Sequence, residues 1–130
     1  MIVGLGIDLI EIERIKSIYL RHGPRFTNRI LTDAEQAYVL RPTDPSSRLA
    51  GRWAAKEAAL KALGTGLADG IRWRDLEILP DEKGKPVLTF HGRALERANM
   101  LRADSLHVTI THGQSMAIAE VILENRSAII

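Results

Sequence analysis

The stretch RLAGRWAAKEAALKALGTG, residues 48–66, decides how the rest of the chain must fold. Its apolar residues recur three and four positions apart and Gly64 stands where helices commonly stop, so the stretch is read as one helix. At roughly 100° per residue, Leu49, Trp53, Lys56, Leu60 and Leu63 share one stripe, which sets Lys56 among the large apolar side chains. Glu57 and Lys61 flank that stripe on one side, and Arg48 and Arg52 flank it on the other. Nearly all remaining positions are alanine or glycine, so there is no ordinary charged solvent face. A helix of this kind is enclosed by neighbours, and its charges need a reason.

The neighbours can be read on either side. Residues 2–7 alternate as a strand, with Val3, Leu5 and Ile7 expected on a packed face and Ile2, Gly4 and Gly6 on the other, a nearly bare backbone ending at Asp8. The spacing of Leu9, Ile12, Ile15 and Tyr19 predicts a helix that Gly23-Pro24 breaks. After a short segment from Phe26 to Leu31, Thr32-Asp33-Ala34-Glu35 has the form of a capping box and predicts a second helix. RPTDPSS, 41–47, reads as a loop too short to separate domains. Downstream, RDLEIL and PVLTF predict a hairpin about the polar turn Pro80 to Lys85, and 91–102 a helix with Ala94, Leu95, Ala98 and Leu101 inward. LHVTIT sets Leu106, Val108 and Ile110 against His107, Thr109 and Thr111, and SMAIAEVIL forms a further strand after the turn at His112-Gly113-Gln114. Strands and helices do not alternate as in a doubly wound sheet. The expected class is α+β, an antiparallel sheet packed with a long central helix and shorter helices. With 130 residues and 45% apolar content, residues 1–130 are expected to form a single domain.

Composition narrows the function classes. The chain has no cysteine, so neither disulfides nor a thiolate metal site hold it, which fits a reducing cytoplasm. MIVGLGIDLIEIER has no basic n-region and no apolar run approaches membrane-spanning length, so an intracellular protein with no membrane segment is expected. The net charge is +2, yet Arg14, Lys16, Arg21, Arg25 and Arg29 fall between residues 14 and 32 without an acid, leaving −3 over the rest. That stretch is either a solvated helix face or a site for an acidic partner. A non-enzymatic nucleic-acid-binding module is the alternative reading of the whole chain. Such a module calls for aromatics interleaved with the cations or a groove-entering motif, and only Tyr19 and Phe26 lie there.

Two carboxylates stand out. Asp8, directly after an apolar strand, is either the N-cap of the helix beginning near Leu9 or a cation ligand, and Gly4 and Gly6 clear the face on which it lies. Glu57 has an ordinary reading as the i to i+4 partner of Lys61, worth about 0.2–0.5 kcal/mol on an exposed helix. The enclosed character of the helix argues against that reading. Two carboxylates near cations suit Mg²⁺, which takes one or two protein carboxylates plus phosphate and water. Zinc fits less well, since His22, His91, His107 and His112 contain no helix-spaced pair. His107 reads as part of a polar strand face, His112 as a turn residue, and Gly64-Thr65-Gly66 as a helix C-cap, with no GxxxxGK loop present. There is no G-x-S-x-G motif and no cysteine nucleophile.

Three blocks, GIDLIEIER (6–14), RWAAKEAALKALGTG (52–66) and HVTITH (107–112), with FTNRILTDAE (26–35) and GKP (84–86) in support, closely resemble the bacterial holo-acyl-carrier-protein synthases, small 4′-phosphopantetheinyl transferases. In order and spacing they cover nearly the whole chain. The resemblance implies transfer of phosphopantetheine from coenzyme A to a serine of apo acyl carrier protein, in fatty acid biosynthesis, releasing adenosine 3′,5′-bisphosphate. It implies Mg²⁺ held by Asp8 and Glu57, with Lys61 holding pyrophosphate oxygens or managing the serine proton, and either Glu57 or a metal-bound water as base. It further implies coenzyme A near Arg52, Thr111 and His112, carrier docking at Arg14, Arg21 and Arg25, and a homotrimer with sites at subunit interfaces. Gly113 and Met116 depart from the family pattern beside the expected nucleotide contacts.

Overall fold

The computed structural model describes residues 1–127. Strand β1 (Ile2–Glu11) continues past Ile7, because its antiparallel pairing with β5 (Met116–Glu124) runs on through Asp8 opposite Ala119 to Glu11 opposite Met116. The three-residue step from Leu9 to Ile12 imitates a helical period while still in the strand. Helix α1 (Ile12–His22) starts only after Glu11, and Asp8 is therefore no N-cap. Gly23 closes α1, and α2 (Pro24–Ile30) begins with Pro24 in its first turn. The capping box is present at the start of α3 (Asp33–Val39): Glu35 N–H donates to Thr32 Oγ1 and Thr32 N–H to Glu35 Oε1. Helix α4 (Ser46–Leu63) starts inside the expected loop and ends at Gly64, which adopts the left-handed conformation at φ 77°.

Beyond α4, a 3₁₀ turn (Trp73–Asp75) leads into the hairpin of β2 (Leu76–Pro80) and β3 (Pro86–Phe90). Helix α5 (Gly92–Met100) turns Ala94 and Ala98 inward, whereas Leu95 is exposed, contrary to expectation. Strand β4 (Ser105–His112) pairs with β5, so the expected antiparallel sheet is two sheets: β1-β5-β4 and the separate β2-β3 hairpin. One cluster of buried residues joins α4 to both.

The packing of β1 reverses the sequence expectation. Leu5, Ile7 and Leu9 are 62%, 56% and 55% exposed, while the glycine face lies against α4. A Cβ on Gly4 would overlap the Ala62 carbonyl, and one on Gly6 the Ala58 carbonyl. Alternation specifies two faces but not which is inside, and here a face without side chains lets the helix backbone approach. The alanine and glycine side of α4 meets the three-stranded sheet, with Gly51 against Ile110 of β4, and the large apolar stripe faces the other layer. Gly6→Ala should accordingly cost about 3 kcal/mol, the upper range for overpacking, because backbone must yield. Urea unfolding would measure it; a loss below about 1 kcal/mol would mean that the layers part easily.

Lys56 lies on the large apolar stripe and is fully buried. Its ammonium pairs with Glu35 Oε1 at 2.7 Å and donates to the carbonyls of Trp73 (3.0 Å) and Leu76. Glu35 is equally buried, and its other oxygen accepts the Ile78 N–H at 2.8 Å. Burial lowers the Lys56 pKa from the ordinary lysine value, and the Glu35 charge opposes that shift. The pair ties α3 and α4 to the 3₁₀ turn and β2.

Candidate functional site

Asp8 stands on the helix-facing side of the sheet, in the row Asp8, Ala119, Ile110. Small neighbours leave its side chain room at the seam with α4, where it is 16% exposed. Lys61 reaches across from α4, donating to the Ile7 carbonyl at 2.9 Å and pairing with Asp8 Oδ1 at 3.1 Å. Among the described residues no ion pair joins Glu57 to Lys61, so the simple helix-surface pair is not what forms. The Glu57 pKa is raised by partial burial and then by the charge of Asp8, with Lys61 opposing. Two carboxylates thus share one seam with a single lysine, leaving an excess negative charge between hard oxygen donors. This arrangement suits a small divalent cation that completes its shell with water and phosphate oxygens. Among the described residues no group of three or more histidine, cysteine or acidic side chains is placed for an all-protein metal cage.

Arg52 lies nine residues before Lys61, about half a turn around the helix axis. It is buried, and burial lowers its pKa. Its Nε donates to the Ile78 carbonyl at 3.3 Å, and its guanidinium lies 5.0 Å from the Tyr38 ring, which Arg48 also covers at 4.1 Å. Tyr38, Arg48, Gly51, Arg52, Pro86 and His112 line a cleft of about 220 Å³. Among the described residues neither arginine has a carboxylate partner, so the cleft is an electropositive recess with an aromatic wall. His112 belongs to it. Thr111, one residue earlier, points by strand alternation to the opposite side of the sheet, in the row Leu9, Ile118, Thr111.

The acid pair thus lies at the β1 edge of the sheet and the arginine cleft at the β4 edge, two strand spacings or about 10 Å apart. On α1, Arg14 and Arg21 are seven residues apart and share a face, and both are exposed, as is Arg25 on α2. Sequence reasoning had no signal for the Tyr38 stack or for the burial of Glu35. The partners of Glu35 lie 21 and 43 positions away.

The model of the 4′-phosphopantetheinyl transferase superfamily matches residues 4–119. A holo-[acyl-carrier-protein] synthase of Solidesulfovibrio magneticus is 54% identical over 95% of this chain and 99% of its own. Among solved structures, the holo-[acyl-carrier-protein] synthase of Neisseria meningitidis superposes with a TM-score of 0.85 at 32% identity, covering 95% of this chain and 99% of that one. The Helicobacter pylori synthase in complex with coenzyme A gives a TM-score of 0.81 at 31% identity, covering 92% and 99%.

Proposed function

The chain belongs to the 4′-phosphopantetheinyl transferase superfamily, and on that premise we propose that Asp8, Glu57 and Lys61 form its reaction centre. The protein transfers 4′-phosphopantetheine from coenzyme A to apo acyl carrier protein. We place this reaction in fatty acid biosynthesis in the cytoplasm; no helix among the described residues is long and apolar enough to cross a membrane. All 130 residues are assigned to one domain, a reading supported by the single core.

The observation that carries the reading is the Asp8, Lys61 and Glu57 cluster at the β1–α4 seam. Asp8 and Glu57 would hold Mg²⁺, which when bound supplies charge neutralisation on the pyrophosphate. Lys61, tethered to the Ile7 carbonyl and Asp8, presents its ammonium to a pyrophosphate oxygen. The carrier serine oxygen attacks the β-phosphorus of coenzyme A. As that bond forms, the bond from phosphorus to the bridging oxygen breaks, and adenosine 3′,5′-bisphosphate leaves with the electron pair. The serine proton passes to Glu57 directly or through one water.

Arg52 and His112 are assigned to an anionic group of coenzyme A, because their cleft offers a buried guanidinium without a carboxylate. The exposed apolar rows Leu5, Ile7, Leu9 and Ile118 support a homotrimer that covers this face. Assembly would bring Thr111 and the arginine cleft of one subunit to the acid pair of the next, joining halves that a single chain keeps on opposite sheet edges.

Intact-mass analysis of an apo carrier incubated with the protein, coenzyme A and Mg²⁺ tests the reading. The carrier should gain the phosphopantetheine mass, chelator should stop the gain, and Mg²⁺ should restore it. Full transfer in chelator would remove the metal assignment. Docking at Arg14, Arg21 and Arg25 predicts that Arg14→Glu weakens carrier binding about tenfold at low salt and leaves coenzyme A binding unchanged, since rim charges steer an acidic partner. Raising salt should weaken the wild-type complex more than the variant. Equal carrier affinity in both proteins at low salt would return Arg14 to a solvated face.

A further inference from the structure

Beside α2 lies the cleft with which the reaction above has no business. It measures about 520 Å³, with Leu67, Ile71 and Trp73 as floor and Arg29, Arg72 and Arg74 as rim. We propose that carrier docking continues past α1 into this cleft, which takes a second acidic, amphipathic segment of the same acyl carrier protein. The inference rests on the carrier-docking reading and extends it to three arginines and an apolar floor.

Continuity is the first argument. Arg29 lines this cleft and also a shallower one of about 200 Å³ with His22, Arg25 and Phe26. The floors are linked as well, because Phe26, Trp53 and Trp73 form an aromatic row with centroid separations of 6.0 and 4.8 Å. The cations of α1 and α2 and the cleft are therefore one surface, basic along its rim and aromatic beneath.

Charge is the second. Arg29 has no ion-pair partner among the described residues. Arg74 pairs with Asp33 at 2.7 Å, but Asp33 is 95% exposed, so the pair is a solvated one that another carboxylate can replace. Arg72 lies 3.6 Å from Asp75, whose other oxygen accepts the Arg72 backbone N–H at 2.9 Å; the arginine side chain stays 80% exposed. The fold uses the Asp75 carboxylate and has little use for the Arg72 guanidinium. Exposed arginines around Trp73 and Leu67 match a helix that offers carboxylates on its flanks and an apolar side chain between them.

The test uses an apo acyl carrier protein with its acceptor serine replaced by alanine, so that binding is measured without turnover. Carrier and coenzyme A affinities are determined separately for wild type, Arg14→Glu, the double variant Arg72→Glu/Arg74→Glu and the milder Arg72→Gln/Arg74→Gln. The reversal pair should weaken carrier binding tenfold or more and the neutral pair about threefold, with coenzyme A affinity unchanged. Both tryptophans of the chain lie in the aromatic row, so saturating carrier should also shift the wild-type emission. If Arg14→Glu weakens carrier binding and neither arginine pair does, the cleft is no docking site while the α1 reading stands. If none of the variants weakens it, both readings fall. Loss of coenzyme A affinity in the arginine pairs would assign the cleft to the nucleotide and overturn the proposal.

Discussion

Glu57→Ala should lower kcat for phosphopantetheine transfer on the order of 10³-fold, the scale of removing one preorganised electrostatic group from a reaction centre. Folding should not suffer. Glu57 is partly buried beside Asp8, and both effects raise its pKa; the carboxylate is thus held at some cost in the folded state. Thermal unfolding of the variant should therefore occur at the same temperature or slightly higher. Asp8→Asn should cause a comparable loss of rate, but it also removes the negative charge that Lys61 pairs with at 3.1 Å and so weakens one of the two anchors of that ammonium. Titrating each variant with Mg²⁺ separates ligation from proton transfer: a metal ligand changes the concentration needed for half activity, whereas a residue acting only on the proton does not. More than a tenth of wild-type activity in Glu57→Ala would sink its place in the reaction.

Lys56→Met should produce the largest loss of stability. The substitution conserves length and apolar stem but leaves the Glu35 carboxylate at zero exposure without its counter-charge, and takes the donor from the Trp73 and Leu76 carbonyls. Removing one partner of a buried pair costs about 3–5 kcal/mol, a large share of the roughly 5–15 kcal/mol that holds a typical domain together. The double variant Glu35→Gln/Lys56→Met should recover part of this, since it buries no charge. Full recovery is not expected. Glu35 accepts from both the Thr32 and Ile78 N–H groups, and a glutamine would turn a second donor toward one of them. Urea unfolding of the three proteins gives the comparison. A loss below about 1 kcal/mol in Lys56→Met would mean that water reaches the Glu35 carboxylate when its partner goes.

The local signals in the sequence were legible because they are complete within a few residues: the Thr32–Glu35 capping box, the left-handed Gly64 and the hairpin about Pro80 to Lys85 all formed. The inside face of β1 was not. Alternation is symmetric between faces, and Gly4 and Gly6 offered no side chain to mark the packed one. The helical spacing at Leu9 was an accident of a strand whose next apolar residue lay three positions on. Lys56 announced itself by sitting in an apolar stripe, but its partner Glu35 already had a sufficient local role as a cap and gave no sign of a second. Asp8, Glu57 and Lys61 were singled out by residue type together with the family resemblance; their meeting depends on a strand-to-helix contact that no short window contains. Thr111 and His112, neighbours in sequence, were grouped for the same ligand, yet strand parity sends them to opposite sides of the sheet.

The contact of Gly4 and Gly6 with the carbonyls of Ala62 and Ala58 works as a ruler. Asp8 is two residues along the strand from Gly6, and Glu57 is one residue along the helix from Ala58, so the distance between the acids is read off two backbones and not off any packed side chain. Elsewhere in the core, a lost or gained methylene can be absorbed by shifts of side chains on the far side of α4. The gauge at the seam does not drift with them. Replacements among the large residues under α4 are therefore free to change stability while leaving the spacing of the acid pair, and with it the geometry offered to a phosphate, where it was.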